Sequence, residues 1–280
     1  FRSWNVEADL RREWNYDGDH IYTSGNLEWS AQLLSFWEGD LSFGWSPRAF
    51  DDRLTRGGPM AVRPGNWRVS AEVESDFRRP LTGYAGAFYE DNDEGGWVLE
   101  SWAGVQIKSS PRWNLSVGPG LGRSLSPAQY VATLADASPA ALFGRRYLFS
   151  ELRQTTVSVE TRFNYTFNPE LTLEVYAQPF VSGVDFGETR YLVAPRTFDF
   201  ARDTTSGVEG TDFNVRSLRG NAVLRWEWRP GSTLYVAWQQ SRESLQEEVG
   251  DFRFGRDRAA LFGAAPDNVF VIKASYWLNP

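Results

Sequence analysis

The chain has 280 residues, a formal net charge of −7, a mean hydropathy of −0.45, no cysteine and a single histidine. The acidic balance argues against a general nucleic-acid-binding protein, which would carry a basic excess. The absence of cysteine excludes disulfides and thiolate metal sites. Aromatic residues make up 15% of the sequence. Because no change in composition divides the chain, we expect one domain over residues 1–280.

Alternation of apolar and polar residues with a period of two, bounded by turn residues, predicts about eleven long strands. They cover residues 4–16, 21–37, 66–77, 81–91, 97–108, 113–123, 155–167, 171–181, 213–228, 232–240 and 268–278. Most are longer than the five or six residues typical of soluble domains. A tilted strand that crosses a bilayer needs roughly nine to eleven residues, and no apolar run is long enough for a spanning helix. The lengths therefore favour transmembrane strands.

The predicted connections alternate between short turns and long loops. Residues 17–19, 78–80, 109–112, 168–170 and 229–231 form the short ones, and residues 38–65, 124–154, 182–212 and 241–267 form the long ones, with the short loop 92–96 as an exception. Outer-membrane barrels have short periplasmic turns and long extracellular loops. The pattern predicts an antiparallel transmembrane β-barrel whose last strand descends to a periplasmic C-terminus.

An odd number of strands conflicts with this architecture, because bacterial barrels normally have an even number. Counting back from the last strand leaves Phe1 on the outer side. Either a strand precedes Phe1 or one segment is misread. We expect about twelve strands, with fourteen or sixteen as alternatives, and a chain that lacks one or more N-terminal strands or an N-terminal module.

One face of the predicted strands is apolar and carries aromatic residues near both ends. Trp37, Trp67 and Trp97 are expected at the long-loop ends. Trp14, Trp113, Trp228 and Tyr165 are expected at the short-turn ends, with Tyr276 in the closing strand. Two aromatic belts are typical of a sheet that meets both membrane interfaces. The strand at residues 81–91 has aromatic side chains on both faces, so its lipid side cannot be assigned.

The opposite face is charged, and its side chains are expected to line the lumen. They are Glu7, Asp9, Arg11, Glu13, Arg68, Glu72, Glu74, Glu160, Arg162, Glu174, Arg225, Glu227 and Lys273. Two interpretations stay open. The charges form a structural lattice of arginine–carboxylate pairs that fills a narrow barrel, or they tune the selectivity of a water-filled passage.

Several motifs predict local structure in the loops. The repeat Ala-Ala-Leu-Phe-Gly at 140–144 and 259–263 predicts short helices with a left-handed glycine cap. A capping box at 126–129 predicts a helix from Pro127 to about Leu134. The glycine-rich residues 118–122 predict a bend or bulge.

Metal binding and catalysis have weak candidates only. Asp91, Asp93 and Glu94 are oxygen ligands in one loop, but their spacing fits no dedicated calcium site, and a solvated acidic turn is the preferred interpretation. We expect no metal and no cofactor. His20 follows a turn assigned to the periplasmic end, whereas barrel enzymes place histidine near the external rim, so we expect no enzymatic activity.

Residues 221–240 and 265–278, together with 167–171 and 176–180, resemble the end of a family of bacterial envelope proteins. In that family a carbohydrate-binding module of the family-nine type precedes a barrel-forming domain. The resemblance is clearest from about residue 158 onward. It implies an outer-membrane location and a role in glycan handling, but it supplies no binding residues to assign to this chain.

These observations predict an outer-membrane β-barrel that conducts small solutes or anchors an exported module. Its expected partners are membrane lipid, lipopolysaccharide, and glycans or small solutes, with no nucleic acid, and the sequence leaves its oligomeric state open. The alternative is a soluble all-β carbohydrate-binding protein, in which the apolar faces form a core.

Overall fold

The computed structural model describes residues 1–136 and 140–278, which form an all-β fold with one α-helix. The strands are β1 (Ser3–Trp14), β2 (His20–Gln32), β3 (Glu38–Ser46), β4 (Ala49–Asp51), β5 (Ala61–Arg63), β6 (Asn66–Glu74), β7 (Leu81–Asn92), β8 (Trp97–Ser110), β9 (Trp113–Ala135), β10 (Arg145–Asn168), β11 (Leu171–Leu192), β12 (Phe200–Arg202), β13 (Phe213–Arg229), β14 (Ser232–Glu247) and β15 (Asp267–Ser275). Helix α1 spans Phe254–Gly263, and a 3-10 turn spans Ala140–Leu142. No helix in the described ranges is long and apolar enough to cross a membrane, a finding that does not bear on crossing by strands.

Twelve strands form one antiparallel sheet in which each strand pairs with its neighbours along the chain. The order is β1-β2-β3-β6-β7-β8-β9-β10-β11-β13-β14-β15, while β12 pairs with the end of β11 and β4 pairs with β5 in a separate hairpin. Within the described ranges β1 and β15 do not pair with each other. The sheet therefore has two open edges.

The eleven strands identified in the sequence omit one, because residues 38–46 were assigned to a loop; they are the misread segment that was one explanation for the odd number. They form β3, which pairs with β2 on one side and β6 on the other. With β3 included, β1 runs from the short-turn end to the long-loop end of the sheet. Phe1 therefore lies at the short-turn end, together with residues 276–278. The turn at residues 17–19 consequently lies at the long-loop end. Trp14 also lies at the long-loop end, and Trp37 lies in the short turn between β2 and β3, so both belt assignments were reversed.

The predicted long loops are shorter than expected, because the strands continue into them. β9, β10 and β11 have 23, 24 and 22 residues. The helix predicted at Pro127–Leu134 is absent, since this segment belongs to β9 and pairs with β10. Cross-strand pairing outweighs a local capping signal there. Residues 137–139, within the predicted loop 124–154, lie outside the described part of the chain.

The repeated Ala-Ala-Leu-Phe-Gly motif is helical in both places, as a 3-10 turn at Ala140–Leu142 and as the end of α1. Gly144 has a φ of +65°, which confirms the predicted left-handed cap. The same prediction is wrong for Gly263. There the backbone N–H of Ala264 donates to the carbonyl of Ala260 from an extended conformation.

The sheet is a single layer for most of its length. Its apolar face includes Leu41, Phe43, Trp226, Phe270 and Ile272, which are all exposed, Ile272 at 72%. The compact core is small and lies at the long-loop end. It consists of buried Ala61, Ala128, Leu142, Tyr147, Phe149 and Leu192, with Leu54, Tyr130, Phe198 and Phe200 packed against them. Apart from α1 and the compact core at the long-loop end, no second protein layer among the described residues covers the apolar face.

Helix α1 is anchored to β13 by a buried ion pair. The guanidinium of Arg216 donates to Asp257 at 2.8 Å, and both side chains are almost fully buried. Arg216 is opposite Val181 in the register, so α1 packs on the apolar-face side of the sheet, towards its long-loop end. Asp257 also accepts hydrogen bonds from the Arg256 guanidinium and the Arg253 backbone N–H. The pair fixes the position of the helix.

We expect Asp257→Ala to lower the free energy of unfolding by about 3–5 kcal/mol, because it leaves the Arg216 charge buried without its carboxylate. Glu243→Ala is the matched control. It breaks the exposed Arg219–Glu243 pair and should change stability by no more than about 1 kcal/mol. The temperature at which the folded gel band disappears in detergent is compared with wild type for both variants. Equal shifts for the two variants would contradict this assignment.

The turn between β6 and β7 contains a carboxylate with a lowered pKa. Hydrogen bonds from the Arg78 side chain hold the pKa of Asp76 at about 2, below its usual value of 3.8. The Arg78 backbone N–H also donates to Asp76, and the Arg78 guanidinium lies over the ring of Phe36. This cluster joins two turns at the short-turn end of the sheet.

A carboxylate whose pKa is lower in the folded state stabilises the protein at pH values above its unfolded-state pKa. This contribution disappears as the pH falls through the folded-state pKa. We therefore expect Asp76→Asn to destabilise the protein at pH 6. The difference from wild type should shrink as the pH falls from about 4 to about 2. Thermal unfolding in detergent across this range measures the effect. A difference that stays constant with pH would show that Asp76 does not act through its charge.

Candidate functional site

The polar face of the twelve-stranded sheet is the candidate functional site. The cross-strand register places all thirteen predicted lumen residues on this face, for example through the row Glu72, Gly86, Trp102, Gly120 and Ser158. The same rows place Tyr84 and Phe88 on the polar face, which resolves the unassigned strand at residues 81–91. That these residues line a lumen stays a prediction.

Negative charge is concentrated on the first half of this face. Among residues of β1 to β8 with an assigned cross-strand partner, it carries two arginines, Arg11 and Arg68, and ten carboxylates: Glu7, Asp9, Glu13, Glu28, Glu38, Asp40, Glu72, Glu74, Glu90 and Glu100. Glu38 and Asp40 were not predicted on this face because β3 was assigned to a loop. Glu28, Glu90 and Glu100 were not predicted there either. Alternation along residues 24–30 could have identified Glu28.

Three pairs of carboxylates stand directly opposite each other on neighbouring strands. They are Glu7 with Glu28, Asp40 with Glu72, and Glu38 with Glu74. Like charges at directly opposed positions destabilise a sheet. The Gln32 amide donates to Glu38 at 2.7 Å and the Trp102 indole donates to Glu72, so side-chain donors relieve only part of this repulsion. The arrangement favours a face that is exposed to water.

Glycines let large side chains lie flat across the polar face. Trp102 lies over Gly86 and Tyr84 lies over Gly104, where a Cβ atom would collide with the ring. The two positions are reciprocal, because each ring covers the glycine of the other strand. Trp102 also donates its indole N–H to Glu72, two strands away. Trp102 is therefore held between Gly86 below it and Glu72 at its side, and Tyr84 lies on Gly104.

Next to Trp102 the polar face contains a groove of about 350 Å³. Gly120 and Gly122 form its floor, and the walls include Glu100, Gln154 and Ser158. The predicted bend or bulge at residues 118–122 was wrong, since β9 pairs with β8 and β10 there without a register shift. The glycines instead leave space on one face of a regular strand.

His20 lies at the long-loop end rather than at the predicted periplasmic end. Its Nε2 atom is 2.6 Å from the Thr23 hydroxyl and 3.0 Å from the Tyr22 carbonyl, with roles that depend on the tautomer. In the described part of the chain no carboxylate forms an ion pair with it. The positional argument against catalysis was therefore wrong, and the expectation that the protein is not an enzyme stays a prediction.

The acidic loop considered for a metal is engaged by an arginine. Arg48 contacts Asp93 at 2.6 Å and Glu94 at 2.5 Å, while Asp91 lies in β7. The Asn92 side chain accepts hydrogen bonds from the backbone of Glu94 and Gly96 and closes the turn. No group of three or more possible metal ligands occurs in residues 1–136 and 140–278. The loop ties β7 and β8 to the segment after β3.

A family described as a domain of unknown function, DUF5916, matches residues 1–279. The chain belongs to the DUF5916 family. No curated protein matches it in sequence. That a carbohydrate-binding module accompanies the domain stays a prediction.

Solved structures of a siderophore receptor and a copper transporter are similar to this DUF5916 chain in fold. The siderophore receptor PiuA from Acinetobacter baumannii is 7% identical with a TM-score of 0.55, over 97% of this chain and 46% of the receptor. The copper transporter OprC is 9% identical with a TM-score of 0.50, over 97% of this chain and 41% of that protein. The NanC porin reaches a TM-score of only 0.26, which carries no argument. The chain spans less than half the length of PiuA and OprC.

We expect Gly86→Ala to displace Trp102 and break its hydrogen bond to Glu72, because the added Cβ would overlap the indole. Gly122→Ala is the control, since its Cβ would meet Thr156 only at ordinary contact distance, 3.9 Å. The near-ultraviolet circular dichroism of the folded protein and its unfolding temperature should change for Gly86→Ala alone. Similar changes in both variants would show that the close approach at Gly86 is not what holds the ring.

Proposed function

We propose that this chain is part of an outer-membrane β-barrel whose polar face lines a passage for small solutes. The observation that carries the proposal is the single-layer sheet, with one uncovered apolar face and one charged face. In water, uncovered apolar surface of this extent would associate or aggregate. Lipid is the partner that covers such a face along its whole width. Lipopolysaccharide, on the outer side, is the expected neighbour of the long-loop end.

The height of the apolar face fits a bilayer. On β10 the apolar face runs from Val157 to Tyr165, which corresponds to about 27 Å along a strand. A tilt of about 40° reduces this to about 21 Å, close to the apolar band of roughly 25 Å in outer-membrane barrels. Above this band β9, β10 and β11 continue beyond the membrane. Their buried residues pack against other protein segments there.

The two open edges support a larger closed assembly in the membrane. Unpaired backbone N–H and C=O groups cost several kcal/mol each in hydrocarbon, so both edges must be paired there. The likeness to less than half of PiuA and OprC supports an arc of a wide barrel. β1 and β15 then pair with each other or with strands of another segment. Either pairing completes the passage.

The charge of the polar face favours a passage over a filled lattice of ion pairs. Its first half has ten carboxylates and two arginines with assigned partners, which cannot form a balanced lattice. The recorded ion pairs Arg11–Glu13, Arg162–Glu160 and Arg225–Glu227 each join residues two apart on one strand. They do not reach across a lumen. An anchor for an exported module is the alternative, which a closed, non-conducting barrel would support.

Planar-bilayer recording of the purified protein tests the passage directly. Stepwise single-channel conductance supports it, and a protein that inserts but stays silent supports the anchor. Gel mobility before and after boiling shows whether a folded barrel is present. A protein that stays monodisperse without detergent would instead support the soluble carbohydrate-binding alternative.

Neighbouring residues on opposite faces of β10 provide a matched test of the membrane assignment. We expect Val159→Arg to destabilise the folded state by roughly 2–4 kcal/mol, because arginine in the middle of a lipid-facing surface is poorly solvated. Ser158→Arg adds the same side chain to the polar face and should cost much less. Urea unfolding of both variants in lipid vesicles measures the difference. Equal costs would contradict contact between Val159 and lipid.

A further inference from the structure

Two segments at the long-loop end fold over the sheet instead of extending from it. Residues 47–65, which contain the hairpin β4–β5, follow β3, and residues 193–202 follow β11. We call them the cap. Its residues Ala61 and Thr55 are completely buried, and Ala61 belongs to the compact core that includes Tyr147 and Phe149, so the cap is packed against the strands.

The cap connects two parts of the sheet that are far apart along the sheet. β2 and β11 are separated by seven strand spacings, which is about 34 Å along the sheet. Yet Arg196, in the segment after β11, contacts Asp19, in the turn before β2, at 3.0 Å. Residues at distant positions of the sheet therefore meet across its long-loop end. The contact requires the chain to cross the space in front of one face.

At β2 that face is the polar one. Arg63, at the end of β5, lies over the ring of Tyr22, and Tyr22 shares the polar face with Asn26 and Glu28. At the other end of the hairpin, Arg56 lies over the ring of Tyr130 on β9. Tyr130 is opposite the buried Phe149 of β10, so the hairpin extends from the polar face of β2 to the compact core at the long-loop end of β9 and β10.

Backbone hydrogen bonds and ion pairs hold the two parts of the cap together. The Arg196 N–H donates to the Met60 carbonyl at 2.7 Å, and the Val62 N–H donates to the Thr197 carbonyl at 3.0 Å. The base of the hairpin is tied to the next turn by Arg48 and Asp93. Its tip packs against Tyr147, whose ring occupies the space where a Cβ of Gly58 would lie. These contacts describe a fixed element with no hinge.

We propose that the cap is the element that limits the size of solutes entering the passage at its long-loop end. The inference rests on the proposed function. The cap lies in front of the polar face at β2 and is supported at its other end by the compact core of β9 and β10, so it narrows the mouth. The solute limit is therefore set by the hairpin at residues 49–63, above the charged strands.

Site-directed labelling tests the proposal, because the 280-residue chain has no cysteine of its own. Arg53 is in the hairpin tip and its side chain is 89% exposed. Arg53→Cys labelled with a polyethylene-glycol maleimide should lose single-channel conductance relative to the unlabelled variant. Arg258→Cys is the matched control, because Arg258 is an exposed arginine on α1, on the apolar-face side. Its labelling should leave the conductance unchanged.

A second variant replaces residues 52–58 with a short glycine–serine turn and should raise both the conductance and the size of solutes that pass. Conductance that is unchanged by labelling at residue 53 overturns the proposal, whether or not the shortened variant folds. In that case wild-type conductance would still support the passage. A wild-type protein that inserts without conducting would overturn the passage and the size-limiting role together.

Discussion

One sheet, hydrogen-bonded from β1 to β15 and a single layer over most of its described length, determines most of the properties of this protein. Its backbone groups are satisfied between neighbouring strands, and only the two edges are open. Its side chains then face two different environments, because a strand directs alternate residues to opposite faces. The apolar face needs a covering that the described residues do not provide. The charged face needs water, and together these needs favour a wall between lipid and an aqueous interior.

The sequence predicted the strands and their two faces because both depend on local alternation. Val157 and Ser158, or Val69 and Arg68, can be assigned to faces from the sequence alone. β3 was missed because Gly39, Asp40 and Gly44 have low strand propensity. Its place in the sheet comes from pairing with β2 over eight residues and with β6 over nine. That single error reversed the positions of Trp14, Trp37 and His20, since each strand changes the direction of all those before it.

Other features could not be predicted because they depend on residues far apart in sequence. A capping box at residues 126–129 looks the same whether or not β10 is available to pair with it. The cap depends on contacts such as Arg196 with Asp19, separated by 177 positions, and local patterns carry no information about such pairs. The carboxylates of the polar face were partly predictable. Their direct opposition, as for Asp40 and Glu72, required the register.

The reciprocal arrangement of Tyr84 over Gly104 and Trp102 over Gly86 has an evolutionary consequence. A larger residue at either glycine needs a smaller one at the ring opposite, so the members of each pair are expected to change in concert among relatives. Such coupled substitutions would reveal which strands are neighbours in distant family members. They would also show where the polar face has exchanged a flat aromatic surface for open space.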